Sequence, residues 1–145
     1  MNKIAKFLAA AALLGVVAWI GAYLYWHFRL VGAVSTLETR MGTPSANDAH
    51  DVIEAAGCRA LPYLVGALEH TKNPLFLIYA TGEIVKSIEE RADPGLASQA
   101  RDWKIVAEDN PPDMKAKCDA LRDYWKANGD LHHQWWRIWS SQCRR

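Results

Sequence analysis

At 145 residues, the chain has room for one domain of ordinary size and an appendage. Half of the residues are apolar, which excludes a disordered chain. When Lys3, Lys6 and Arg29 are set aside, 14 basic residues stand against 16 acidic ones. Because this balance does not create the basic field that nucleic-acid binding requires, we expect no nucleic acid among the partners.

The first predicted element is an apolar helix long enough to cross a bilayer. Residues 7–28 contain no Asp, Glu, Lys or Arg, and they follow a short basic lead at Lys3 and Lys6. About 20 apolar residues in a helix span the roughly 30 Å of bilayer hydrocarbon. Aromatic rings, which favour the headgroup level, gather at the far end of the segment. We predict four membrane-interface residues there: Trp19, Tyr23, Tyr25 and Trp26.

Two interpretations of this segment are open, a cleaved signal peptide and an uncleaved signal anchor. A signal peptide has an apolar region of about 7–15 residues, and this one is longer. Its best cleavage site, Val31-Gly32-Ala33, follows Arg29, so the anchor is favoured. Lys3 and Lys6 favour a cytoplasmic N-terminus by a small margin. That orientation predicts a single-pass membrane protein with an extracytoplasmic domain, which would be periplasmic in a bacterium.

A helical seam of apolar residues follows the segment, at Leu30, Val34, Leu37 and Met41. This spacing predicts that the helix continues past the bilayer and packs against another part of the protein. We therefore divide the chain into an anchor helix with a juxtamembrane extension, residues 1–41, and a soluble helical domain, residues 42–145.

Proline, glycine and asparagine punctuate the soluble domain. Thr43 before Pro44 is typical of a helix start, and Gly57 closes a short helix after Ala56. A second helix is predicted within 58–70, with one apolar face at Leu61, Leu64, Val65 and Leu68. A third helix is predicted from Leu75 to Arg91, with a face at helical spacing that contains Leu75, Ile78, Tyr79, Gly82, Val85 and Ile88 or Glu89. A fourth helix is predicted from Leu96 to Glu108, with Trp103 and Val106 inward. Because no stretch alternates as a strand does, we predict an all-α fold.

The region from about 48 to 92 resembles a HEAT-like repeat. The resemblance is carried by residues 60–68, ALPYLVGAL, and residues 80–88, ATGEIVKSI, and it covers about a third of the chain. Residues 76–78 stand where the family often has an arginine early in its second helix. HEAT-like repeats pair antiparallel helices and stack into scaffolds for protein partners. The resemblance therefore implies an antiparallel helical domain that binds protein.

A Trp-rich helical hairpin is predicted at the C-terminus. One apolar stripe contains Met114, Cys118, Leu121 and Trp125, and a second contains His132, Trp136, Trp139 and Cys143. If Asn128-Gly129 ends the first helix, an antiparallel turn at 128–131 places Cys118 opposite Cys143. Two cysteines at matched heights predict a disulfide and an oxidising compartment. The alternative is a pair of buried, reduced cysteines.

An aromatic and cationic patch is predicted on the second arm of this hairpin. Trp135 lies about 100° from Trp136 around a helix, so both side chains cannot point inward equally. Together with Arg137 and Trp139, an exposed Trp135 would have the composition of an interface hot spot. The alternative is that Trp135 packs on a neighbouring helix of the same domain.

Motifs for catalysis, phosphate binding, haem attachment and metal binding are absent from the sequence. We predict no enzyme activity and no cofactor. The predicted function is that of a membrane-anchored helical interaction module, an accessory or adaptor subunit whose partners are proteins in or near the membrane and the lipid bilayer itself. The alternative is a small membrane protein of toxin immunity or lysis.

Overall fold

The computed structural model describes the backbone of residues 3–90 and 94–132 and the side chains of 4–90 and 94–128. Every regular element within these ranges is helical, so the all-α prediction is confirmed. The elements are α1 (Lys3–Arg40), α2 (Pro44–Ala56), a 3-10 turn (Gly57–Ala60), α3 (Leu61–Ala67), α4 (Pro74–Glu89), α5 (Pro94–Asp102) and α6 (Pro111–His132).

α1 is one unbroken helix that meets two environments. Its 38 residues give a length of about 57 Å. Up to Phe28 its apolar side chains are largely uncovered, and the most apolar part of the helix buries nothing within the described protein. Outside α1, only Leu75 and Val106 are exposed large apolar residues among the described ones. α1 is thus long and apolar enough to cross a membrane.

Beyond Phe28, α1 enters the core of the domain. Leu30 and Leu37 are each 1% exposed, and Val34 is 7% exposed. Met41 packs against the same cluster of buried residues, so the predicted seam is confirmed. α2 and α3 contact α1, α4 packs on α3 and α5, and α6 packs on α3 and α4. The core of the helical domain therefore includes side chains from the second part of α1.

Local chemistry fixes the ends of α2 as predicted. Thr43 has extended backbone angles and precedes Pro44, the first helical residue. Proline suits this position because its missing N–H would have no partner in the first turn. Gly57 follows Ala56 with a φ of 55°, a conformation that residues with a side chain rarely adopt. In the next segment, the four residues predicted to face inward are all buried: Leu61, Leu64, Val65 and Leu68.

Asn73 joins the end of α1 to the start of α4. Its Oδ1 accepts hydrogen bonds from the backbone N–H groups of Leu75 and Phe76, at 3.1 and 3.4 Å. Its Nδ2 donates to the carbonyl oxygen of Glu38 at 2.7 Å. That oxygen belongs to the last turn of α1, where carbonyls lack partners within the helix. One side-chain amide thus satisfies backbone groups of two helices.

The face that α4 buries includes the predicted residues Val85 and Ile88 but differs from the predicted one in the first turn of the helix. Leu75 is 55% exposed, whereas Phe76 and Leu77 are buried. The buried face as a whole comprises Phe76, Leu77, Ala80, Thr81, Ile84, Val85, Ser87 and Ile88. Because residues 75–78 are all apolar, their spacing does not define which side of the helix packs inward.

The predicted helix from Leu96 to Glu108 is wrong beyond Asp102, where α5 ends. The linker after α5 turns inward at Ile105, which is fully buried, while the predicted inward residue Val106 is 41% exposed. The N–H of Ile105 donates to the Thr81 hydroxyl at 3.1 Å, and this hydroxyl donates to the Leu77 carbonyl at 2.8 Å. A buried hydroxyl on α4 therefore satisfies a backbone group that helix propagation would have satisfied otherwise.

α6 confirms the first apolar stripe of the predicted hairpin but not its turn. Cys118 and Leu121 are buried, and Met114 and Trp125 pack against the core. The helix does not end at Asn128-Gly129 and continues to His132. The Asn128 side chain donates to the Tyr124 carbonyl one turn back, at 3.0 Å, so it supports the helix instead of ending it.

The predicted disulfide between Cys118 and Cys143 is wrong, because Cys118 is a free, buried thiol. The pairing depended on a turn at 128–131, and α6 is helical through that stretch. Burial raises the pKa of the Cys118 thiol, which keeps it protonated and unreactive. Cys143 and the predicted partner-binding residues Trp135, Arg137 and Trp139 lie outside the described residues.

Candidate membrane-interface site

The predicted interface residues line the second half of the apolar stretch of α1. Trp19, Tyr23 and His27 lie at intervals of four and form a column of nearly parallel rings, with successive centroids 6.1 Å apart. Tyr25 and Trp26 meet edge to face at 5.8 Å. All of these rings are exposed or half-buried, so the helix presents an aromatic belt directly before its first buried residue.

The aromatic column leads to a hydrogen bond between the anchor helix and α3. His27 Nδ1 and the Tyr63 hydroxyl are 2.8 Å apart, and their ring centroids are 5.6 Å apart. Burial raises the pKa of Tyr63, so the phenol stays protonated at neutral pH. His27 is the only ionisable side chain in residues 7–28 apart from the tyrosines, and α3 gives it a polar partner.

A second contact at the same height joins Trp26 to the 3-10 turn. The guanidinium carbon of Arg59 lies 4.9 Å from the centroid of the Trp26 ring, which is within the range of a cation–π interaction. The Arg59 Nε is buried and has no hydrogen-bond partner. Burial lowers the pKa of Arg59 from its ordinary value, and the guanidinium remains charged at neutral pH.

Arg29 supplies a second cation on the exposed side of α1. Its Nη1 donates to the Tyr25 hydroxyl at 2.8 Å, and its guanidinium carbon lies 5.6 Å from the Tyr25 ring centroid. Among the described residues, no carboxylate lies within 4.0 Å of the basic nitrogens of Arg29 or Arg59. Each of these cations therefore packs on an aromatic ring and lacks an acidic partner in the described protein.

The four aromatic residues on α1 were predicted as interface residues from their position at the end of the apolar segment, whereas the domain residues that contact them were not predicted. Tyr63 is 36 residues from His27, and Arg59 is 33 residues from Trp26, so periodicity within one helix carries no signal for either contact. His27 was visible as the one imidazole in an apolar run. An imidazole is costly in hydrocarbon unless it has a hydrogen-bond partner. The position of His27 therefore indicates a polar partner, although it does not identify Tyr63.

The other titratable groups of the described residues do not form a comparable site. His50, Asp51 and Glu54 offer ligand atoms within 4.8 Å of one another, but all three side chains are exposed on α2. His70 Nε2 lies 3.8 Å from a Glu38 carboxylate oxygen, with the imidazole largely exposed. These groups are solvated surface residues.

No protein-family model, curated protein or solved structure matches this chain.

Proposed function

We propose that this chain is a single-pass membrane protein whose helical domain binds a protein partner at the bilayer surface, as an accessory or adaptor subunit. The observation that carries the proposal is the continuity of α1, which passes from an uncovered apolar stretch to buried core positions without a break. A bilayer covers the first part, and the second part fixes the domain to it.

Three kinds of contact support a rigid attachment of the domain. Leu30 and Leu37 are core residues, Asn73 bonds the last turn of α1, and His27 bonds Tyr63 at the base of the domain. A domain attached in this way stays at one height above the membrane instead of moving on a linker. Such an attachment suits an adaptor, because it presents a binding face to a neighbouring protein at constant geometry.

The partner-binding face is proposed to lie at Trp135, Arg137 and Trp139, whose composition is typical of interface hot spots. The HEAT-like resemblance of residues 60–68 and 80–88 also favours protein binding. Apart from the anchor helix, the described residues offer only two exposed large apolar side chains, Leu75 and Val106. This supports placing the docking face in the Trp-rich segment.

Site-directed photo-crosslinking in native membranes tests the partner. A photoreactive residue in place of Trp135 or Trp139 should give one discrete protein adduct, and the adduct should vanish when Arg137→Glu is added. The matched control is a photoreactive residue in place of Asp48, which is exposed on α2. If none of the positions forms an adduct, or if Asp48 forms the same adduct as Trp135, the adaptor proposal is wrong.

The proposed orientation has the N-terminus in the cytoplasm and the domain outside it. An Asp48→Cys variant should react with a membrane-impermeant maleimide in intact cells more strongly than the parent chain. Cys118 contributes little background because it is buried. Labelling of the variant only after cell lysis would instead place the domain in the cytoplasm.

A further inference from the structure

The contacts at the base of the domain leave two cations beside an aromatic belt at the level where the apolar stretch ends. Arg59 reaches this level from the 3-10 turn by lying on Trp26, and Arg29 reaches it from α1 by lying on Tyr25. Leu30, the next residue after Arg29, is the first buried residue of α1. In a membrane-spanning chain this level is that of the lipid headgroups.

The way in which Arg59 is held favours recognition of a phosphate. An aromatic ring covers the guanidinium group and the Nε is buried, so the terminal nitrogens are the part left to bind a ligand. A guanidinium group presents its N–H donors in a planar fork that matches a phosphate in two parallel hydrogen bonds. The described residues supply no carboxylate that would occupy this fork.

Neighbouring groups add donors of the same kind. Arg29 is exposed and has a second guanidinium group, while the hydrogen bond between His27 and Tyr63 places an imidazole of α1 beside a phenol of α3. A single phospholipid headgroup offers several phosphate oxygens close to the apolar chains of its own lipid. The exposed apolar surface of α1 below the site gives those chains a surface to pack on.

We propose that Arg59 and Arg29, held by Trp26 and Tyr25, form a binding site for the phosphate of an anionic phospholipid at the base of the domain. The inference rests on the proposed bilayer insertion of α1 and adds a specific lipid to it. The lipid headgroup would lie between the membrane and the domain and would supply an acidic partner that the described residues do not provide there.

The test uses the full chain reconstituted into vesicles of phosphatidylcholine with a minority of phosphatidylglycerol. The association of spin-labelled phosphatidylglycerol, relative to spin-labelled phosphatidylcholine, is measured by electron paramagnetic resonance. Each basic group near a membrane surface changes anionic lipid binding by about fivefold. Arg59→Gln and Arg29→Gln should therefore each lower the relative association about fivefold.

Arg40→Gln is the matched control, since Arg40 is an exposed arginine on the same helix and lies about 21 Å further from the bilayer than Trp26. Its relative association should equal that of the parent, because that distance exceeds the Debye length. Arg59→Lys keeps the charge but loses the planar fork, and it should bind nearly as weakly as Arg59→Gln. Equal binding by Arg59→Lys and the parent would overturn the site in favour of diffuse attraction.

Two further readouts separate the ways in which the proposal can fail. Resistance to alkaline extraction reports bilayer insertion, so a chain that is extracted contradicts the membrane anchor itself. Circular dichroism reports folding, and the exposed residue Arg29 allows the test even if Arg59→Gln unfolds. Inorganic phosphate that displaces the spin-labelled lipid at low concentration would assign the site to a free anion and overturn the lipid proposal.

Discussion

The two parts of α1 have the same secondary structure and opposite surroundings. Leu14 in the first part is 69% exposed, whereas Leu37 in the second part is 1% exposed, on one continuous helix. Helix propensity and backbone bonding are similar at both sites, so they cannot explain the difference. What differs is the surroundings of each part, since the apolar side chains of the first part are uncovered within the described residues and suit a bilayer, whereas those of the second part lie in the protein core. The boundary between them falls at the aromatic belt.

The largest expected difference between the two parts is in the response to loss of a leucine side chain. Leu37→Ala should lower the free energy of unfolding of the domain by about 2–5 kcal/mol, because it leaves a cavity in the core. Leu14→Ala should change it by less than about 0.5 kcal/mol. Denaturant unfolding in nanodiscs, followed by circular dichroism, measures both. Equal effects would mean that both parts of α1 belong to one core.

A charge in the first part of α1 should weaken membrane insertion without changing the fold of the domain. Val16→Arg places a guanidinium group near the middle of the apolar stretch, at a residue that is 54% exposed. We expect membrane insertion to become less favourable by about 2.5–3.5 kcal/mol, with the fold of the domain unchanged. Alkaline extraction measures membrane insertion, and circular dichroism of the extracted chain measures the fold of the domain. Loss of domain structure would contradict the separation of the two parts.

Variants of Asn73 measure how much its hydrogen bonds stabilise the packing of the second part of α1 on the domain. Asn73→Ala removes the cap of α4 and the bond to Glu38, and should destabilise the domain by about 1–2 kcal/mol. Asn73→Asp keeps the capping oxygen but cannot donate to the Glu38 carbonyl. If the bond between the helices matters, Asn73→Asp should be less stable than the parent, and thermal unfolding distinguishes the two variants. Stability of Asn73→Asp equal to that of the parent would limit the role of Asn73 to capping.

Acid should act on the domain alone, because the apolar stretch 7–28 has no carboxylate. The Lys117 ammonium, at 2.7 Å, holds the pKa of Asp109 below its ordinary value of 3.8. A lowered pKa in the folded state adds stability above the unfolded pKa, and that stability is lost as the pH falls through the folded pKa. Asp109→Asn should flatten this loss below about pH 4. Asp48→Asn is the matched control for the change of charge, because Asp48 has no ion-pair partner among the described residues.

Sequence alone predicted those parts of the fold that depend on neighbouring residues. Thr43, Pro44 and Gly57 act on their own turns, and the seam at Leu30 and Leu37 repeats along one helix. The prediction failed where a distant group decides the outcome. The Thr81 hydroxyl turns the linker inward at Ile105, and the local sequence around Val106 carries no sign of it.

The same distinction holds for the candidate site. The aromatic belt was predictable because its rings lie on one helix and share a preference for the interface. The contacts of Trp26 with Arg59 and of His27 with Tyr63 depend on how α3 packs on α1, which no pattern within either segment encodes. Asn128-Gly129 shows the converse error, since a strong local end signal is overridden by a helix that continues to His132.

Because α1 is continuous, a change in the tilt of its apolar part would also tilt the domain. The apolar stretch 7–28 is about 33 Å long as a helix, slightly more than the roughly 30 Å of hydrocarbon, so a helix that spans a bilayer would be long enough to tilt. A thinner membrane would favour a larger tilt. Because the helix continues unbroken from Phe28 into the core at Leu30, the domain would tilt together with it, and membrane thickness would change the orientation of the domain above the bilayer.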